Sequence, residues 1–182
     1  GFGRIGRNFF RASHDNKDIE IVAINDLALP ETIAHLTRFD STHGRFQIPV
    51  DLDGTALHIA DSRIQLLQQK HLSPRVWREL DIALVLECTG WIKRRTDAQV
   101  HLEAGAGKVL ISNPADSFVD ATVVYGINHH ELTGREQIVS NASCTSNCVI
   151  PVIEVLDRAF GIVCGNITSI HSAMNDQPVI DA

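Results

Sequence analysis

Two residues in this chain could together form a covalent nucleophile and its base. Cys144 lies within residues 140–148 (SNASCTSNC), directly before a helix-like segment at 149–160. If that helix begins near Ser143, unpaired backbone N–H groups and the positive end of the helix dipole lie beside the sulfur and favour its thiolate form. His171 ends an alternating segment that is predicted as a strand. A cysteine with a separate histidine is the expected signature of a thiolate nucleophile and a general base.

The cysteines also have a plain structural interpretation. A free cysteine most often acts as a small buried apolar residue, and we expect this of Cys148, Cys88 and Cys164. Cys148 and Cys144 lie one helical turn apart without further ligands nearby, which makes a poor zinc site, so no metal is predicted. Asn147 could cap or orient the helix.

A glycine-rich turn at the start of the sequence indicates a site for a dinucleotide. Three glycines fit the pattern G-x-G-x-x-G: Gly1, Gly3 and Gly6. Such glycines let the backbone approach a pyrophosphate at a helix N-terminus. Asp26 follows an apolar strand 20 residues after Gly6, about the spacing at which a carboxylate binds a ribose hydroxyl. Since a carboxylate repels a 2′-phosphate, NAD is predicted; the alternative is that Asp26 caps the next helix.

Alternating strand and helix patterns must position these groups. Residues 82–88 form an apolar run, typical of a strand buried on both faces of a parallel sheet. The alternation predicts an α/β fold with a doubly wound, mostly parallel sheet. Right-handed crossovers would then bring the glycine turn, Asp26, Thr89, Gly90 and Ser112 to one edge. The other predicted helices are 7–16, 29–39, 73–80 and 96–106, and the other strands are 19–24, 46–50, 56–60, 63–67, 108–111 and 121–125.

Length and charge narrow the function classes. The chain has 182 residues, 44% of them apolar, which suffices for a core, and a net charge of −6, which argues against nucleic-acid or anionic-membrane partners. No apolar run reaches the roughly 18 residues of a membrane span, and no signal peptide is visible, so a cytoplasmic location is expected. With no strand ahead of Gly1 and no cap at Ala182, we expect a fragment that lacks its first strand.

Several segments carry a resemblance to one family: residues 1–7, 25–26, 39–45, 88–90 and 140–148, together with His171. Together they resemble the glyceraldehyde-3-phosphate dehydrogenase family. Within that family, two stretches are more similar to the bacterial D-erythrose-4-phosphate dehydrogenases than to the glycolytic enzymes: residues 124–128 and 171–182.

The resemblance implies roles for individual residues. It makes Cys144 the nucleophile and His171 the base. Ser143 and Thr145 match positions that hold inorganic or substrate phosphate. Met174 departs from the glycolytic pattern, which has a threonine there; because a thioether cannot donate a hydrogen bond, phosphate would bind differently or more weakly. The implied NAD contacts are Arg4, Ile5, Asp26 and Ser112, beside the glycine turn and the Thr89–Gly90 turn.

The resemblance also implies an organisation and a reaction. Residues 1–143 would form a Rossmann-type NAD-binding domain, and residues 144–182 would begin an α+β catalytic domain. The implied reaction is the NAD-dependent oxidation of D-erythrose 4-phosphate to 4-phosphoerythronate through a cysteine thioester, in a homotetramer that serves pyridoxal phosphate biosynthesis. The alternatives are a phosphorylating glyceraldehyde-3-phosphate dehydrogenase of glycolysis and a non-catalytic NAD-binding fragment.

Overall fold

Helices and strands alternate along the chain, in a computed structural model that describes residues 1–172. No helix in this described part is long and apolar enough to cross a membrane. The helices are α1 (Arg4–Ser13), α2 (Pro30–Arg38), α3 (Val76–Glu79), α4 (Arg95–Glu103) and α5 (Cys144–Phe160). The strands are β1 (Ala23–Asn25), β2 (Phe39–Asp40), β3 (Gly44–Arg45), β4 (Val50–Asp53), β5 (Ala56–Ile59), β6 (Ser62–Leu67), β7 (Leu84–Glu87), β8 (Lys108–Ile111), β9 (Ala121–Thr122) and β10 (Ile138–Ser140).

Two four-stranded sheets form the framework. The first has the order β1-β6-β5-β4, in which β1 and β6 are parallel and the other pairs are antiparallel. The second has the order β7-β8-β10-β9 and is parallel throughout. Parallel strands joined by helices confirm the predicted doubly wound, mostly parallel α/β fold. The carboxyl ends of β1, β7, β8 and β10 therefore carry the loops that can form a site.

Apolar faces of the helices pack on these sheets. Phe10 of α1 and Ile33 of α2 pack with Leu57 and Ile64 of the first sheet, and all four are buried. In the second sheet, a separate cluster joins Ala98 of α4 to buried residues of β8 and β10. The two clusters fix the helices against the sheets and so fix the loops at the strand ends.

Some element boundaries differ from the sequence predictions. The strand predicted at 46–50 lies at Val50–Asp53, where a hairpin partner, β5, is available. The strand predicted to end at His171 is absent, since residues 161–172 contain no helix or strand. No described strand pairs with that segment, and an isolated extended segment leaves its backbone groups unpaired.

The prediction that residues 82–88 are buried on both faces is wrong at Leu84, which is 50% exposed. The reason is the position of β7, which pairs with β8 on one side only and is the edge of its sheet. β1 is likewise the edge of the other sheet. Between these edges lies an apolar cleft of about 480 Å³, lined on one side by residues 18–25 and on the other by residues 81–89.

Gly1 lies at the end of this cleft, against the backbone of Cys88 and Thr89. Residues joined ahead of Gly1 would therefore run between β1 and β7, parallel to both. We expect an extension of about six apolar, β-branched residues to raise the melting temperature by about 5 °C or more, because it would pair both edges and fill the cleft. Thermal unfolding followed by circular dichroism measures this. An equally long Gly/Ser extension is the control, and equal melting temperatures for the two would contradict the expectation.

Candidate active site

The helix that carries Cys144 begins at that residue because Ser143 caps it. Ser143 has an extended backbone, and its hydroxyl oxygen accepts a hydrogen bond from the Ser146 N–H at 2.9 Å. The first turn contains no acidic side chain. The positive end of the helix dipole is therefore not neutralised locally and lies beside the sulfur. The predicted helix start near Ser143 is confirmed.

The loop before the helix is held by a buried serine. Ser140 is fully buried at the end of β10, and its hydroxyl donates to the Asn113 carbonyl oxygen at 2.8 Å. The same hydroxyl accepts from the Ala142 N–H at 3.1 Å. Ala142 has a φ of 56°, a left-handed conformation that costs a non-glycine residue of order 1–3 kcal/mol. The chain thus turns sharply between β10 and α5, and Ser140 supports the turn.

Asn147 closes this turn from the helix side. Its amide nitrogen donates to the Asn141 carbonyl oxygen at 2.7 Å and to the Ser143 carbonyl oxygen at 2.9 Å. Of the two roles considered for Asn147, orientation of the helix is the one that the structure shows. The side chain ties the first turn of α5 to the loop that precedes it.

Cys144 and His171 are in contact. The Cys144 Sγ atom lies 3.2 Å from His171 Nε2, although no strand carries the histidine. His171 Nδ1 lies 2.6 Å from the Ser172 carbonyl oxygen. Since a carbonyl can only accept, Nδ1 carries a proton and donates it. In the neutral ring, Nε2 therefore has a lone pair directed at the sulfur and can receive the thiol proton.

The surroundings of Cys144 favour its thiolate. The hydrogen bond with His171 lowers the pKa of the Cys144 thiol, burial opposes this, and the charge of His171 lowers the pKa further. Interactions with the N–H and hydroxyl of Thr145 lower the pKa of Cys144 as well. Because the thiolate is the strongly nucleophilic form of cysteine, this lowering of the pKa makes Cys144 a candidate nucleophile.

The other cysteines differ from one another. Cys88 is half-buried, and burial raises the pKa of its thiol against an opposing hydrogen bond with Ser112, which fits a packing role. The prediction that Cys148 and Cys164 are packed is wrong, because both are exposed. Within the described residues, α5 buries none of its side chains. Residues 1–172 contain no cluster of three or more metal-ligating side chains.

The glycine turn forms a cradle at the N-terminus of α1. A Cβ atom on Gly6 would lie 2.5 Å from the Gly1 carbonyl oxygen, so only glycine fits there. A Cβ on Gly3 would meet no protein atom within 4 Å. Gly3, Arg4 and Ile5 are exposed, and the first turn of α1 has no side-chain cap and no acidic residue. The N–H groups of this turn are thus available to an anion.

Asp26 connects this turn to the end of β1. Its carboxylate accepts the Phe2 N–H at 2.6 Å through Oδ2 and the Ala28 N–H at 2.9 Å through Oδ1. The alternative role of Asp26 as the cap of the next helix is not what the structure shows, since the N-cap of α2 is Leu29. A carboxylate has about four lone-pair sites, so two remain for the hydroxyls of a ribose.

The predicted residues gather along one edge of the sheets. Gly1 lies against Thr89, and Gly90 follows with a φ of 76°. The Ser112 N–H donates to the Glu87 carbonyl oxygen at 3.0 Å, and the Asn141 N–H donates to the Ile111 carbonyl oxygen at 2.8 Å. These bonds place the ends of β7, β8 and β10 side by side, in line with the glycine turn.

Comparison with protein families identifies this arrangement. The family model described as glyceraldehyde 3-phosphate dehydrogenase, NAD binding domain, matches residues 1–95. The model described as glyceraldehyde 3-phosphate dehydrogenase, C-terminal domain, matches residues 143–182. The chain belongs to the glyceraldehyde-3-phosphate dehydrogenase family. Its cofactor is NAD, and its activity is that of an NAD-dependent oxidoreductase.

The structure of this family member fits NAD. The open space at Gly3 lets a pyrophosphate reach the helix N–H groups, which a Cβ there would obstruct. Beyond the glycine turn, the same edge carries the remaining lone pairs of Asp26, suited to a ribose, and the turn at Thr89. Among these residues, the ones that would hold the dinucleotide are Gly1, Gly3, Arg4, Ile5, Gly6, Asp26, Thr89, Gly90 and Ser112.

Sequence reasoning missed the residues that support the site. Ser140 is the first residue of the motif at 140–148, and nothing in the neighbouring sequence predicts that its hydroxyl is buried. Glu87 and His101 are buried polar residues whose side chains form a hydrogen bond of 3.2 Å. Glu87 interrupts the apolar run 82–88, and a charged residue inside a buried strand was the one signal that could have revealed it.

The lowered pKa of Cys144 leads to a test by alkylation. We expect iodoacetamide at pH 7 to modify Cys144 about ten times faster than Cys148, since the thiolate fraction is larger. His171→Asn should move the midpoint of the rate–pH profile of Cys144 to higher pH and slow the reaction at pH 7. Peptide mass spectrometry measures both sites. Cys148→Ser is the control that should leave the Cys144 profile unchanged, and an unshifted profile in His171→Asn would contradict the pairing.

The glycine cradle leads to a second test with paired substitutions. Gly3→Ala should change the free energy of unfolding by less than about 1 kcal/mol, because its Cβ meets no protein atom, yet weaken NAD binding about tenfold or more. Gly6→Ala should lower both stability and NAD affinity, since its Cβ meets a backbone oxygen. Calorimetric titration with NAD and thermal unfolding measure these effects. Gly165→Ala, also in open space, is the control; native NAD affinity in Gly3→Ala would refute the cradle.

Proposed function

We propose that this protein oxidises D-erythrose 4-phosphate to 4-phosphoerythronate through a thioester on Cys144, with NAD as the oxidant. The observation that carries the proposal is the 3.2 Å contact between the sulfur of Cys144 and His171 Nε2 at the capped start of α5. The choice of substrate is supported by the likeness of residues 124–128 and 171–182 to the erythrose-4-phosphate branch of the family. Residues 173–182, including Met174, lie outside the described part of the structure.

The first step forms a carbon–sulfur bond. His171 Nε2 takes the thiol proton, and the resulting imidazolium stabilises the thiolate by charge and hydrogen bonding. The sulfur attacks the aldehyde carbon, and the carbonyl electron pair moves to the oxygen, which takes the proton back from His171. The product is a neutral hemithioacetal. N–H groups at the start of α5 would stabilise the transient oxyanion, a contribution of about 3 kcal/mol for each donor.

The second step turns the hemithioacetal into a thioester. His171 withdraws the hydroxyl proton while the oxygen re-forms its double bond to carbon. NAD, when bound, supplies the acceptor for the hydride that leaves this carbon. The proton leaves the hydroxyl oxygen while the hydride leaves the carbon that bears it, so the imidazole has to lie on the hydroxyl side of the intermediate. The hydrogen bond from His171 Nδ1–H to the Ser172 carbonyl oxygen supports this role, because it leaves Nε2 facing the sulfur.

The third step consumes the thioester, and the acceptor distinguishes the two branches of the family. Water yields the free acid, whereas phosphate yields an acyl phosphate. At the positions matched to phosphate ligands, the Ser143 hydroxyl already caps α5, and interaction with the Thr145 hydroxyl helps to lower the pKa of Cys144. A phosphate nucleophile would compete with these interactions, which favours water as the acceptor.

The remaining features of the proposal rest on family resemblance. A boundary between residues 143 and 144 would separate the NAD-binding domain from the catalytic domain. This position agrees with the C-terminal family match at 143–182. A homotetramer, a cytoplasmic location and a place in pyridoxal phosphate biosynthesis stay predictions.

Steady-state kinetics of the full chain test the proposed reaction. We expect NADH formation with D-erythrose 4-phosphate in buffer free of phosphate, and a kcat/KM about tenfold or more above that for glyceraldehyde 3-phosphate. Added phosphate should change the rate little. Cys144→Ser should abolish turnover, whereas Cys148→Ser, one helical turn away, should retain it. Strict dependence on phosphate, or preference for glyceraldehyde 3-phosphate, would instead favour the phosphorylating enzyme of glycolysis.

A further inference from the structure

A chain of buried hydrogen bonds runs from α3 to the turn that follows β7. The Trp77 indole N–H donates to His101 Nδ1 at 3.1 Å, and His101 Nε2 lies 3.2 Å from Glu87 Oε2. The other carboxylate oxygen of Glu87 accepts the Thr89 N–H at 2.6 Å and also the Thr89 hydroxyl. We call these four residues the buried relay. Trp77, His101 and Glu87 are each at most 7% exposed.

The relay fixes the protonation state of His101. An indole N–H can only donate, so Nδ1 of His101 must accept and carries no proton. The proton of the neutral ring is therefore on Nε2, which donates to Glu87. Every polar atom of the three buried side chains then has a partner of the right kind, as a buried polar network requires.

Glu87 is a carboxylate in this setting. Burial raises the pKa of Glu87, but the hydrogen bonds from His101 and Thr89 outweigh it and hold the pKa at about 2. Hydrogen bonds to a charged acceptor are roughly twice as strong as neutral ones. The Thr89 turn is thus bound to the interior through two donors on one anionic oxygen.

The Thr89 turn also lies on the edge of the sheets that carries the predicted NAD contacts, which we call the cofactor edge. Thr89 lies against Gly1, and its hydroxyl accepts the Trp91 N–H at 3.2 Å, which shapes the chain through Gly90. The position of this turn therefore determines the shape of the site beside the glycine turn. None of the steps proposed for Cys144 and His171 uses Glu87 or His101.

We propose that Glu87 is a positioning residue for NAD. In this proposal the buried relay couples the shape of the Thr89 turn to the hydrogen bond between Trp77 and His101. The proposal rests on the placement of NAD in the proposed function. Glu87 acts through Thr89 and does not touch the reacting atoms. Its loss should therefore affect the binding of NAD more than the binding of the aldehyde.

Glu87→Gln tests the relay with little change in shape. The amide keeps an oxygen for Thr89 but presents N–H donors to His101 Nε2, which also carries a proton. Either that contact is lost, or the ring changes tautomer and its Nδ1–H then opposes the indole N–H of Trp77. We expect the KM for NAD to rise about tenfold, while the KM for the aldehyde stays within about twofold.

A spectroscopic signature separates this role from plain destabilisation. In the full chain labelled with ¹⁵N and without NAD, Glu87→Gln should shift the Trp77 indole N–H resonance and speed its exchange with water. Trp91 is 87% exposed, so its indole signal is assigned with Trp91→Phe and serves as the internal reference. Glu103→Gln is the matched control, since it removes the same charge from an exposed position of α4, two residues after His101. It should leave both the Trp77 resonance and the KM values native.

Thr89 provides a second pair of variants if Glu87→Gln does not fold. Thr89→Val keeps the shape of the side chain but removes its hydroxyl donor. Through Glu87 and His101, this change should shift the Trp77 indole N–H resonance. Thr89→Ser keeps both donors and should restore the native signal. A native Trp77 resonance, or a native KM for NAD, in a folded Glu87→Gln or Thr89→Val overturns the relay. Absence of NAD binding in the native protein would overturn the proposed function instead.

Discussion

The hydrogen-bonded start of α5 is the constraint on which the candidate site depends. The Ser143 hydroxyl caps α5, so the helix begins at Cys144, beside the backbone N–H groups of its first turn. The contact with His171 then lowers the pKa of the thiol in a part of the surface that water can reach. A sulfur in the same sequence but on an uncapped loop would have lacked both influences. Nucleophilicity here is thus a property of local geometry.

A strained backbone residue and several hydrogen bonds hold the loop that precedes α5. Ala142 adopts a left-handed backbone, and the buried hydroxyl of Ser140 bonds on both sides of the turn. Asn147 returns from the helix to the same loop. The bond from Ser140 to Asn113 spans 27 residues, whereas the others are local, and together they hold the start of α5 against the ends of β8 and β10. The predicted NAD contacts lie at the ends of strands from that sheet and at the end of β1, which is the edge strand of the other sheet.

Buried polar groups and glycines shape the cofactor edge in different ways. Gly6 allows a backbone contact that no other residue could make, and Asp26 ties the glycine turn to β1. Glu87 ties the Thr89 turn to His101 and through it to Trp77. Carboxylates therefore hold the loops on two strands, each by accepting backbone N–H groups. Such anchors leave the exposed N–H groups of α1 for the dinucleotide.

The sequence by itself determined the cofactor and the class of fold. The glycine spacing, Asp26, Cys144 and the capped helix follow local rules of turn, cap and periodicity, and these rules act within about one turn or one strand. The order of the sheets, the exposure of Leu84 and the absence of a strand at His171 depended on which neighbours were present. The partners Phe2 and Asp26, or Trp77 and His101, lie 24 residues apart. Only the tertiary structure decided such contacts, because side-chain hydrogen bonds between distant segments form after the crossovers have set which strands are adjacent.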